Sequence, residues 1–273
     1  MGSNKIKKTK HWRNAFTLAE GGHSPLLCGD AGTQGSLRLV KGGFTLAEVL
    51  ITLGVIGVVA AVTMPTLIQN YKKHVVETRL AKFYTTINQA IQMSETVNGD
   101  KRYWTSTGGG FEKDDEGNLD YSKPQALAWF EKYLKPYLKY SEVKTFNNGN
   151  TQGEVFVYFD DGSLLQLSQY VWTFYPNRKN IKIYKNQDDL TKRSHSTGTD
   201  SFDFLFIPQY PSIAYHYNRG VEPYMAQWDG NRETLFNNTQ FGCRTDATVD
   251  PAYCTKLIQM NGWKIPKDYP LKF

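Results

Sequence analysis

The residues whose types and spacing could do chemistry fall into a few groups. Ser194, His195, Ser196 and Asp200 bring hydroxyls, an imidazole and a carboxylate close together in sequence, with His74 and His216 elsewhere. A nucleophilic triad is assembled by geometry and not by local order, so this run reads as a polar loop and no enzyme is expected. Asp114, Glu116, Asn118 and Asp120 offer alternating oxygen ligands of the kind calcium takes. The segment lacks the glycine position and the distal glutamate of an EF-hand, so the expected reading is a solvated acidic turn, with no cofactor required. Cys243 and Cys254 are spaced to close a small loop as a disulfide, with two independent buried thiols as the alternative. The absence of Cys-x-x-Cys and of a nearby histidine argues against zinc. The last group is Gly43, Phe44 and Glu48, a glycine, an aromatic and a single acid at the head of an uncharged run from Val49 to Asn70.

That run is the element that must position the last group. It is the one segment apolar and long enough to cross a bilayer, which takes about 20 mostly apolar residues. A cleaved secretory signal has a shorter apolar core and a small-residue cut site, neither of which is found here. Pro25-Leu26-Leu27-Cys28 superficially resembles a lipoprotein site, but no apolar segment precedes it. The formal charge of +6 sits almost entirely before the run. Residues 1–43 hold seven Lys/Arg against Glu20 and Asp30 (+5), whereas the remainder holds 25 basic and 24 acidic residues (+1). Lys and Arg beside a span hold that side in the cytoplasm, which leaves the downstream part exported. A disulfide at Cys243 and Cys254 suits such an oxidising location, while Cys28 lies on the cytoplasmic side. The near-neutral exported part gives no electrostatic footprint for nucleic acid.

Residues 1–43 are rich in Gly, Ser and Lys and show no sustained periodicity. Phe16-Thr17-Leu18-Ala19-Glu20 repeats Phe44-Thr45-Leu46-Ala47-Glu48, but Gly-Gly-His-Ser-Pro follows the first copy, so it cannot open a membrane helix. From Phe44 onward the pattern is helical. Residues 44–70 are apolar all round. Then Val76, Leu80, Phe83, Ile87, Ala90 or Ile91, and Ser94 recur at steps of three to four, which predicts an amphipathic continuation ending near Val97 at Asn98-Gly99. Gly54, Gly57 and Pro65 are poor helix formers inside it, and Gly57 with Ala61 forms a small-x-x-x-small pair that lets a neighbouring helix come close. Beyond it, Gln125–Leu138 reads as a short helix strained by Pro136. Glu154–Phe159 and Ser163–Leu167 read as a hairpin about Asp160-Asp161-Gly162. Tyr170–Tyr175, Ile181–Tyr184 and Phe202–Ile207 are further candidate strands, and the region from Pro208 reads as loops. The fold class is α+β. A long N-terminal helix (44–97, with 44–70 transmembrane) packs on a small antiparallel sheet in an exported domain over 98–273.

Gly43-Phe44-Thr45-Leu46-Ala47-Glu48, followed at once by the apolar run, resembles the N-terminus of type IV pilins and type II secretion pseudopilins. The resemblance is tight from Lys41 to about Ile68 and architectural beyond. It implies that a prepilin peptidase cuts after Gly43, removes residues 1–43, and methylates the new amine of Phe44. It implies that Glu48 pairs with the terminal amine of a neighbouring subunit during assembly, and that the stretch from Gly57 to Pro65 can lose helicity in a filament. The implied partners are copies of this chain or other pilin-like subunits, the peptidase, and an inner-membrane assembly platform. The implied location is the bacterial inner membrane, then a filament in the periplasm or at the cell surface. The leader departs from the family in being much longer than the usual basic one. A monomeric, membrane-anchored exported binding domain is the alternative.

Overall fold

A computed structural model describes residues 44–147, 153–180, 197–246 and 248–273. Two compact units divide these residues after Thr52, the second being Leu53–Phe273. Helix α1 covers Leu46–Asn98 and includes Pro65. It stops where expected: Gly99 takes a left-handed φ of 74° and its N–H donates to the Glu95 carbonyl at 3.0 Å. A β-carbon would strain that conformation.

The second unit is built on a six-stranded antiparallel meander in sequence order, β3 (Glu142–Asn147), β4 (Gly153–Tyr158), β5 (Leu164–Leu167), β6 (Val171–Tyr175), β7 (Phe202–Leu205) and β8 (Glu222–Pro223). A separate two-stranded hairpin pairs β1 (Phe111–Lys113) with β2 (Leu119–Pro124). Helix α2 (Gln125–Tyr133) follows, with α3 (Thr234–Asn237) and α4 (Cys254–Met260) in the C-terminal region.

The register explains the core. Val155 faces Leu167 and Val157 faces Leu165; Leu167 and Leu165 face Trp172 and Phe174, which in turn face Phe204 and Phe202. Partners directly opposite share a face, so these eight side chains form one apolar surface. All are buried and cluster with Val76, Leu80, Phe83, Ile87, Ala90 and Ile91 of α1 and with Trp129 and Phe130 of α2. Phe83 is the centre of this contact: its ring stacks on Phe174 at 4.3 Å and meets Phe204 edge-on at 5.1 Å. The opposite face holds a smaller cluster of Phe156, Leu164 and Tyr175.

The structure adjusts several expectations. The helix predicted to reach Leu138 ends at Tyr133 and gives way to a 3-10 turn over Lys135–Tyr137. Pro136 has no N–H to donate and cannot continue the α-helical ladder. Two short helices and β8 interrupt the predicted C-terminal loops. The candidate strand at Ile181–Tyr184 lies outside the described residues, as do Gly43, the first Phe-Thr-Leu-Ala-Glu copy and Cys28.

Candidate functional site

The N-terminal end of α1 is organised by Thr45 and Glu48. The Glu48 carboxylate oxygen Oε2 accepts from the Thr45 N–H at 2.8 Å and from the Thr45 hydroxyl at 2.8 Å. The Glu48 N–H donates to the same hydroxyl at 3.2 Å. This is a capping box: Thr45 at the cap and Glu48 three residues on satisfy each other's free backbone donors. The sequence reading assigned Glu48 an intermolecular partner and overlooked this local one, although Thr-x-x-Glu before an apolar run is its signature. Phe44, the residue before the cap, is exposed.

Beyond the box, every residue from Val49 to Tyr71 is exposed except Ala60, which is half-buried. Val49, Leu50, Ile51, Leu53, Val55, Ile56, Val58, Val59, Val62, Met64, Leu67 and Ile68 are the large apolar side chains among them. A contiguous apolar surface of this kind marks a site of contact with lipid or protein. Among the described residues this is the one helix long and apolar enough to cross a membrane. Its hydroxyls suit that setting, because Thr52 donates to the Val49 carbonyl at 3.0 Å and Thr63 to the Val59 carbonyl at 2.9 Å. A β-carbon at Gly54 or Gly57 would meet nothing within 4 Å, so neither glycine is required by packing inside the chain. Pro65 removes the N–H that would reach the Ala61 carbonyl.

Cys243 and Cys254 are joined by a disulfide, with both residues buried beside Met225, Leu235, Tyr253 and Leu257. The four oxygen-bearing residues considered for calcium sit around the β1–β2 turn. Asp114 Oδ1 accepts the N–H groups of Glu116 at 3.0 Å and Asn118 at 2.8 Å, and Asp120 Oδ1 accepts the Ser122 N–H and hydroxyl. One oxygen of each carboxylate thereby shapes the local backbone. Among the described residues, no three His, Cys, Asp or Glu side chains converge as a metal site. Ser194, His195 and Ser196 lie outside the described residues. His74 and Asp200 are exposed. His216 is fully buried, and neither ring nitrogen has a hydrogen-bond partner among the described residues. Burial, with Arg219 and Lys256 nearby, pushes it down to about 4, so the ring is neutral at neutral pH.

A polar network that the sequence reading missed ties α1 to the C-terminal region. The Tyr84 hydroxyl donates to Glu222 Oε1 at 3.0 Å and Gln259 Nε2 donates to Glu222 Oε2 at 3.2 Å. Lys256 Nζ donates to Gln259 Oε1 at 2.7 Å and to the Tyr215 hydroxyl at 2.5 Å. Burial, with Glu222 beside it, pushes the Tyr84 hydroxyl up to about 12. One turn on, Asn88 reads the backbone of Val221 with both ends of its amide, accepting its N–H at 2.9 Å and donating to its carbonyl at 3.0 Å. These residues come from α1, from the 208–221 segment, from β8 and from α4, so no local motif announces them.

A family model described as "Family of unknown function (DUF6613)" matches residues 66–273. No curated protein and no solved structure matches the chain.

Proposed function

The chain belongs to this family of unknown function (DUF6613), and we propose that it is a pilin-like structural subunit. It is processed by prepilin peptidase between Gly43 and Phe44, methylated on the Phe44 amine, and assembled through α1 into a type IV pilus or type II secretion pseudopilus. The family match begins at Thr66, so the reading rests on residues before it. The observation that carries it is the capped start of α1 followed at once by an uncovered apolar surface. Such a surface belongs in lipid while the subunit is stored and against like helices once it is assembled.

The charge logic follows from the same geometry. Cleavage after Gly43 places a cationic amine on Phe44, next to the capping box. Glu48 Oε2 holds Thr45, and Oε1 forms no hydrogen bond among the described residues. That second oxygen is left for the terminal amine of a staggered neighbour. An acid among apolar helices is costly without such a partner. Gly54 and Gly57, free of internal packing, and Pro65 leave the helix locally weak, which permits the loss of helicity that the resemblance implies for a filament.

The test is the intact mass of the protein from its native cells, together with its presence in sheared surface filaments. A mass beginning at N-methylated Phe44 is expected. A chain that keeps Gly43–Phe44 joined in cells with an active peptidase overturns the reading in favour of a monomeric tethered domain. Gly43→Leu is expected to leave precursor in the membrane.

A further inference from the structure

Cations stand at the exported edge of the apolar run, where the charge rule for membrane segments works against them. Lys72 and Lys73 follow Tyr71 directly, and all three are exposed. Lys and Arg beside a span favour the cytoplasmic side, so a pair on the other side runs against that bias, and anionic headgroups at that level would attract it. Beside them opens a cleft of about 300 Å³ lined by Tyr71, Lys72, Val75, Pro176, Asp200 and Lys272, among others.

Contacts from three parts of the chain build this cleft. The Arg79 guanidinium donates to the Pro176 carbonyl and holds the turn after β6 against α1. That turn carries exposed Arg178 and Lys179. Glu77 accepts from Lys264 Nζ at 2.9 Å and from the Ile265 N–H at 2.9 Å, which seats the C-terminal strap on the helix. Further along the strap, the Tyr269 hydroxyl donates to the Gly198 carbonyl. Leu271 lies so close to Gly198 that a β-carbon there would be 2.7 Å from it. The strap thereby delivers Lys272 to the cleft. Lys72 and Lys272 line it, and Lys73 and Arg178 adjoin lining residues in sequence; Asp200 is the one lining carboxylate side chain.

We propose that this cleft binds the phosphate headgroup of an anionic phospholipid in the exported leaflet. The apolar run ends at Asn70, so a bilayer around it puts headgroups at the level of Tyr71 and Lys72. A tyrosine at that level is a normal interfacial anchor. Each lysine near an anionic surface strengthens binding roughly five-fold. The consequence is a domain seated on its membrane by its own strap and turn. The proposal rests on the membrane-anchor part of the function above and not on polymerisation.

The experiment uses the full chain in bilayer discs of phosphatidylcholine containing a fixed fraction of phosphatidylglycerol, with lipids retained on the protein counted by native mass spectrometry. Wild type is expected to retain phosphatidylglycerol several-fold above its share. The double variant Lys72→Glu, Lys272→Glu is expected to lose that preference, whereas Lys113→Glu in the β1–β2 hairpin keeps it. Equal retention of both lipids, or a preference unchanged in the double variant, overturns the proposal. Displacement of the lipid by millimolar glycerol 3-phosphate also overturns it, because the site would then be one for a soluble phosphate. A chain that does not enter discs overturns the anchor itself, whereas processing and filament assays have no bearing on this result.

Discussion

At the scale of single residues, Glu48 has two separable tasks. Its carboxylate closes the cap with Thr45, and its charge is free to meet an amine from outside the chain. Thr45→Ala is expected to speed hydrogen exchange at the first amides of α1, consistent with a loss of about 1 kcal/mol for a missing cap, while subunits still assemble. Glu48→Gln keeps an oxygen for the cap but loses the charge, so it is expected to preserve amide protection and abolish assembly. Normal filaments from Glu48→Gln would show that the cap alone suffices. Two buried titrating residues carry a second residue-scale prediction. His216 is pushed down to about 4 from 6.5, so the unfolded chain binds the extra proton and stability falls as pH drops from about 6.5 to 4. Asp203 is pushed up to about 7 from 3.8, chiefly by burial and then by Asp250, so stability falls as pH rises from about 3.8 to 7. The two slopes oppose each other across the shared window. In wild type the two contributions are expected to offset each other there. Asp203→Asn is expected to reveal a decline toward acid, and His216→Leu a decline toward neutrality, each read from urea midpoints at several pH values.

At the scale of elements, α1 and the C-terminal region hold each other through side chain–backbone contacts as much as through apolar area. Gly220 is the tightest point: a β-carbon there would sit 1.9 Å from Asn88 Oδ1. Gly220→Ala must therefore displace Asn88 from Val221, and the expected cost is about 1–3 kcal/mol by thermal unfolding. Asn88→Ala in the same background is expected to add little, because the contact is already lost. The disulfide acts on the same region from the other side. Cys254→Ser opens a short loop, with an expected cost of about 3 kcal/mol, and the buried cluster of Met225, Leu235 and Tyr253 loosens first. Thermal unfolding followed by tyrosine and tryptophan fluorescence separates this from the Phe83–Phe174 core.

At the scale of the whole molecule, the apolar run and the folded core are independent requirements. The first buried residue of α1 is Val76, so nothing upstream contributes a side chain to the core. A chain beginning at Lys72 is expected to fold in water with an unfolding temperature close to that of the full chain in detergent. The full chain is expected to aggregate when detergent is removed. An unfolded product from the shorter chain would mean that the apolar run also supports the domain.

Much of this was legible in sequence wherever the deciding pattern is local. The burial face of α1 followed from residue spacing alone, down to Ser94, because a helix repeats every 3.6 residues whatever it packs against. The β4–β5 hairpin followed from two apolar runs about Asp-Gly. β3 was not expected, since it pairs along only one edge and its Glu142, Lys144 and Thr145 are exposed; helix α4 is too short for its periodicity to show. What only the tertiary structure decided is which distant side chains meet. Glu222 receives Tyr84 and Gln259, Asn88 brackets Val221, and Lys72 shares a cleft with Lys272 because sheet order and the C-terminal strap bring them together. Sequence alone determined the apolar run and also the helix cap, although the cap went unread, since Thr45, Glu48 and everything from Val49 to Asn70 are neighbours along the chain. Contacts between residues distant in sequence depend on the path of the whole backbone, and no local pattern encodes that path.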